Sequence, residues 1–259
     1  MKRTLDAPFL EIGFYFAAMT DADAFATVAR TILARGSRFI GAEGWRGPGK
    51  RTQPFEWTHG DELQMPLSIG AHQLQGALED PDLRIMEISF DHIIGISKAP
   101  ERLEYHSVLS REASLLDRHP VGILAEGEPF SGPYDPDRGW KPGKKMYTAF
   151  RELVLALSPS YACINVEAAT YCPTDLHQDP GRFADDFWVN AGYVGENGLA
   201  AIARLSEGAY QERIGDGLYV STYKYWNPAK INMDHIKSES IATEVGKIIA
   251  GRRSVRTLH

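Results

Sequence analysis

Three stretches in the last third of the chain read as strands: Tyr161 to Glu167, Asp186 to Tyr193 and Tyr210 to Tyr223. The last is split into a pair by Gly215-Asp216-Gly217, residues with the backbone freedom that a tight hairpin needs. Around them, Leu199 to Leu205 reads as a short helix, and Ile236 to Ala250 carries Ile241, Val245, Ile248 and Ile249 at helical spacing. Tyr147 to Leu157 precedes them as a helix with Phe150, Leu153, Val154 and Leu157 on one face. This succession constrains the second half of the chain to helices packed on a hairpin-bearing sheet.

The first half repeats the mixture. Leu10 to Phe16 is a short apolar run, and Thr20-Asp21 can cap a helix whose apolar positions Phe25, Val28, Ile32 and Leu33 recur at helical spacing before Gly36. Arg38 to Ala42 reads as a strand, Ile69 to Leu78 as a helix, and Leu83 to Ile96 with Arg102 to Ser110 as a strand pair around Lys98-Ala99-Pro100. Val121 to Glu126 completes that sheet, and residues Gly127 to Lys145 hold four prolines and four glycines, the composition of a linker. The expected class is therefore α+β: two sheet-plus-helix halves of mostly antiparallel strands, 1–127 and 146–259, joined by a linker over 128–145. The loops GWRGPGK at Gly44 and GWKPGKK at Gly139 are compatible with a weak tandem duplication.

Composition narrows the function classes. With 259 residues and 43% hydrophobic content the chain can bury a full core without disulfides. Its two cysteines, Cys163 and Cys172, read as free thiols of a reducing, cytoplasmic compartment. Acidic residues and Pro8 interrupt any secretory signal, and apolar runs such as Phe14 to Met19 fall short of the roughly 20 residues that span a bilayer. A net charge of −6 disfavours a long nucleic-acid footprint, although Arg46, Lys50, Arg51, Lys141, Lys144 and Lys145 would be its candidate contacts.

Catalytic motifs are weak or broken. Gly44-x4-Gly49-Lys50 approaches a phosphate loop, but Arg51 stands where Ser or Thr would hold magnesium and Pro54 opposes the helix that should follow. Cys163, Cys172 and His177 lack the tight spacing of a zinc knuckle, so no metal or other cofactor is expected. Glu167, Asp175, Asp179, Asp185 and Asp186 could pair carboxylates, yet read more simply as a solvated loop or one that mimics a phosphate ligand toward a basic partner. His72, His92, His106 and His119 accompany no nucleophile motif. The aromatic residues Phe187, Trp188, Tyr193, Tyr219, Tyr223, Tyr225 and Trp226 imply either a sheet covered on both faces or an exposed partner surface.

From Tyr147 to Ala250 the pattern resembles bacterial immunity proteins against polymorphic or type VI secreted toxins, particularly the immunity protein 52 type. The residues that carry the resemblance are Phe187-Trp188-Val189 and Tyr193, a short helix, Gly215-Asp216-Gly217 leading into Leu218-Tyr219-Val220-Ser221-Thr222, then Asn227-Pro228 and a closing helix from about Asp234. The resemblance implies an intracellular, non-enzymatic α+β protein that binds a cognate toxin and occludes it. Expected contacts are Trp45, Arg46 and Trp57 of the polar 44–65 loop, Asp175, Asp179 and Asp185 of the acidic stretch, and Trp188, Tyr223 and Trp226 among the aromatics. The alternative is an enzyme or small-molecule-binding protein with a cleft between the halves under the 44–65 loop, or with His92, His106 and Glu104 converging.

Overall fold

A computed structural model describes residues 9–47, 49, 51, 66–105, 116–127, 136–222 and 235–252. In chain order these form β1 (Phe9–Tyr15), α1 (Asp21–Ala34), β2 (Phe39–Arg46), β3 (Pro66–Ile69), α2 (Leu74–Glu79), β4 (Leu83–Phe90), β5 (Glu101–Tyr105) and β6 (Val121–Glu126). The second half adds α3 (Pro136–Leu157), β7 (Tyr161–Val166), α4 (Pro173–Gln178), β8 (Asp186–Asn190), α5 (Ala191–Val194), α6 (Glu196–Leu205), β9 (Tyr210–Ile214), β10 (Gly217–Ser221) and α7 (His235–Ala250).

The strands make one ten-stranded sheet in the order β3-β2-β4-β5-β6-β1-β7-β8-β10-β9, with every ladder antiparallel, so the α+β expectation holds. β1 lies between the two halves. It pairs with β6 from Phe9↔Glu126 to Phe14↔Val121 and with β7 from Leu10↔Val166 to Tyr15↔Tyr161. Where a cleft between halves was one expectation, two hydrogen-bonded ladders are found.

Alternation along each strand sorts side chains to two cores. Leu10, Ile12 and Phe14 of β1 share one with Phe25, Val28 and Ile32 of α1 and Phe150, Leu153 and Val154 of α3. On the opposite face Phe187, Val189, Leu218 and Val220 pack with Leu176, Leu199, Ile202, Ile241, Val245 and Ile249 from α4, α6 and α7. The C-terminal sheet is therefore covered on both faces: Trp188 and Tyr219 point to the α3 side, Phe187 to the other. Each such large side chain contributes roughly 1.5–3 kcal/mol by leaving water.

Several local expectations change: β2 runs on to Arg46, so Trp45 and Arg46 stand on a strand rather than in the expected 44–65 loop, and β4 ends at Phe90 rather than Ile96. The helix predicted from Tyr147 begins at Pro136, inside the predicted linker. Pro136 suits a first helical position, and Pro142 is tolerated where the following stripe Met146, Ala149, Phe150 and Leu153 is buried. β8 stops at Asn190, because its side chain caps α5 by accepting from Gly192 N–H at 2.7 Å. Residues 66–69, the last of them expected to open a helix, pair instead with β2 through Ala42↔Ile69, and α2 starts only at Leu74. The 170–184 stretch, read as a loop, contains α4.

The hairpin shows why its glycines are there. Gly215 has φ +55°, as a two-residue turn with glycine first requires. At Gly217 an added Cβ would lie 2.2 Å from Trp188 Cε2, since the indole lies over that glycine and its Nε1 donates to the Ile214 carbonyl at 3.0 Å. Gly217→Ala is expected to cost about 1–3 kcal/mol or more by overpacking, whereas Gly41→Ala, with nothing within 4 Å, should shift the denaturation midpoint little. Chemical denaturation of the two variants checks this.

Candidate functional site

Three clusters of polar groups in the described interior hold the residues with the most chemical capacity. The first surrounds the start of α1. Thr20 caps the helix by accepting from Asp23 N–H at 3.2 Å, which places Asp21 in the first turn, where the helix dipole favours an acid. Its carboxylate accepts from His119 N–H at 2.9 Å and lies 3.2 Å from His119 Nδ1, while Tyr105 OH donates to the Asp21 carbonyl at 2.9 Å. Burial acts to raise Asp21, but the hydrogen bonds and charge of His119, with Arg84, outweigh it and hold the carboxyl below its usual range.

Beside this cluster Arg51, Arg84, Tyr105, Phe25, Leu78 and Leu83 line an open recess with room for little more than a water molecule, far short of a small-molecule site. Its guanidinium groups also serve the fold: Arg51 donates to the Leu78 carbonyl and, at 3.0 Å, to Asp23, and Arg84 Nη2 donates to the Arg51 carbonyl at 3.2 Å.

The second cluster ties the halves together on the face opposite α3. Tyr15 OH donates to Asp117, whose other oxygen accepts from Thr174 N–H at 3.1 Å and stands 3.2 Å from Thr174 Oγ1 in the first turn of α4. Tyr15 stacks on Tyr161 at 4.8 Å, with Tyr193 6.0 Å from the latter. Cys172 Sγ donates to Asp175 at 3.1 Å, and burial, with the carboxylates of Asp117 and Asp175, pushes its thiol well above the ordinary value. Cys163 is raised too, first by burial and then by Glu11. Both are free, buried and in the un-nucleophilic protonated form.

The third cluster is a backbone cradle. Glu101, with no exposed surface, accepts from the N–H groups of Ile93, Ile94, Gly95, Ile96 and Ser97 at 2.5–3.3 Å. Such a nest of amides is an anion site, and here the chain's own carboxylate fills it. Lys145 Nζ closes the loop from outside by donating to the Gly95 carbonyl at 2.9 Å.

The nine residues expected at a partner surface divide by position. Arg46 and Asp179 are exposed, each in an ion pair: Arg46 with Asp80 at 2.8 Å, Asp179 with Arg182 at 3.0 Å. Trp45 and Asp185 are half-buried, and Asp185 accepts from Ser238 at 2.7 Å. Asp175 and Trp188, 1% and 2% exposed, are interior groups, which corrects the expectation that they meet a partner. Trp57, Tyr223 and Trp226 lie outside the described residues, as do His106 and most of the 44–65 loop. His177 is exposed and apart from the buried cysteines, and among the described residues no group of three or more His, Cys, Asp or Glu is arranged to hold a metal.

Glu11, Asp21, Glu101 and Asp117 are buried acids that motif reasoning passed over, and Asp186, read with the acidic loop, is buried as well. For Glu101 and Asp186 a signal existed: each shares strand parity with core residues, Glu101 with Leu103 and Tyr105, Asp186 with Trp188. An acid on the apolar parity of a strand must find donors or stay neutral.

No protein-family model matches the chain, and no curated protein matches it. Among solved structures there is a likeness to the Pseudomonas aeruginosa T6SS protein PA0821, at 12% identity and a TM-score of 0.38, covering 95% of this chain and 73% of that one. A superposition that loose says nothing about function. No described helix is long and apolar enough to cross a membrane.

Two outcomes follow from the clusters. Glu101→Gln turns an acceptor into a donor facing amide N–H groups and should cost about 1–3 kcal/mol in denaturant melts. Asp21→Asn should destabilise at neutral pH; because the folded carboxyl is depressed, its contribution is present above 3.8 and lost as pH falls below that value. The difference between wild type and Asp21→Asn in thermal melts should therefore shrink in acid.

Proposed function

We propose that this chain is an immunity-type protein that binds a cognate bacterial toxin and occludes it without catalysis. The observation that carries the reading is the order of elements over Tyr147 to Ala250. The Phe187-Trp188-Val189 strand is followed by short helices, the Gly215-Asp216 hairpin and a closing helix from His235, the succession that the sequence resemblance implies. Support also comes from the employment of the chemically capable side chains. His119 serves Asp21 and Asp117 serves Tyr15 and Thr174 as joints between elements, while Cys172 serves Asp175 within the first turn of α4.

A net charge of −6 favours encounter with a basic partner surface. Asp179, exposed at the end of α4, and Glu239 and Glu244 on α7 are the described acids best placed to meet one.

The test is co-purification with, and growth rescue from, the product of a toxin gene adjacent to the one encoding this chain. Saturable binding with protection is expected, and the absence of both sinks the proposal. Asp179→Lys should slow association severalfold with little change in melting temperature, because an exposed charge acts mainly on encounter. Trp188→Ala should instead unfold the chain at lower denaturant.

A further inference from the structure

Asp186 opens β8 on the α3 side of the sheet, 2% exposed, opposite Ile164 of β7 and Ser221 of β10. Its Oδ1 accepts from Tyr219 OH at 2.8 Å, the Ser221 hydroxyl also bears on the carboxyl, and Oδ2 has no hydrogen-bond partner among the described residues. The titratable groups around it are acidic or neutral. Asp185 precedes it on β8, Cys163 stands on β7, and Tyr219 on β10 carries the contact on to α3 through Tyr147, 5.5 Å away ring to ring. Tyr147 in turn donates to Glu212 of β9, as does Tyr210 at 3.0 Å, with Arg151 on that same carboxylate at 3.5 Å. From α7, His235 and Glu239 act on Asp185. Among these groups none places a cation on Asp186, and a carboxylate in a core without one is far costlier than the neutral acid.

The neighbouring acid marks the same place as a joint. Asp185 accepts from Ser238 of α7 at 2.7 Å, Ser238 Oγ lies 2.8 Å from Thr222 Oγ1, and Thr222 N–H donates to the Asp185 carbonyl at 3.3 Å. Two successive residues thus hold opposite faces of one sheet end, Asp186 to β10 and Asp185 to α7.

We infer that Asp186 is a proton-operated latch on this end of the sheet: as the neutral acid it keeps β8 and β10 closed on the core, and the scarcer protons become, the more readily that end opens. The sign follows from linkage. Burial, against the hydroxyls of Ser221 and Tyr219, pushes the closed carboxyl from 3.8 up to about 7. Below 3.8 closed and open forms are both protonated; between 3.8 and about 7 only the open form gives up its proton, so each rise in pH drives opening; above that range both are ionised and the effect levels.

The measurement needs no partner and stands whether or not the chain binds a toxin. On the full chain, the Asp186 side-chain carbon shift is followed by NMR from pH 3 to pH 9, and amide exchange of β8 and β10, corrected for intrinsic rates, is read over the same series. A titration midpoint near 7 is expected, with protection falling about tenfold per pH unit between pH 5 and pH 7 and then levelling. Asp186→Asn should remove the slope. A midpoint below about 5, or a slope that survives in Asp186→Asn, overturns the inference; if the variant does not fold, the wild-type titration alone decides.

Discussion

The double pairing of β1 is the constraint on which the rest of the structure depends. A strand bonded on both edges can have no solvent on either, so β6 of the first half and β7 of the second must meet across it. Once they do, α1 and α3 share one face of a continuous sheet, and the second face of the C-terminal strands is left to α4, α5, α6 and α7. The hydrophobic energy then comes from two cores whose boundary is the sheet itself, as layered architectures require.

Closing a sheet so completely buries polar groups along with apolar ones. Asp117 is partnered from distant segments by Tyr15 and Thr174, Asp21 likewise by His119, and Glu101 by the neighbouring 93–97 backbone. These bonds hold loops to elements, and breaking one leaves a desolvated donor or acceptor that costs more than the bond contributes. Asp186 has one oxygen without a hydrogen-bond partner among the described residues, and burial pushes its carboxyl up to about 7.

The candidate site was legible in part. Asp179 and Arg46 are exposed charges, Asp179 just past the end of α4 and Arg46 at the last position of β2, where the strand leaves the core. For Trp188 both a covered sheet and a partner surface stood open, because alternation says only that neighbouring side chains face opposite ways, and here helices cover both directions. Asp175 looked like a loop acid because α4 is six residues long, too short for periodicity to reveal.

Local pattern alone determined α1 with its Thr20 cap, β1, β6, β7, the Gly215 hairpin and α7, since the signals for these elements, apolar period and turn residues, lie within a few positions of one another. Tertiary structure decided the strand order, the extension of α3 back to Pro136 and the partners of the buried acids. Those depend on contacts such as Tyr15 with Asp117, 102 residues apart, which no local window contains. Pairing and burial are properties of the assembled sheet, and propensity yields to them wherever a large side chain or a buried charge has one place to go.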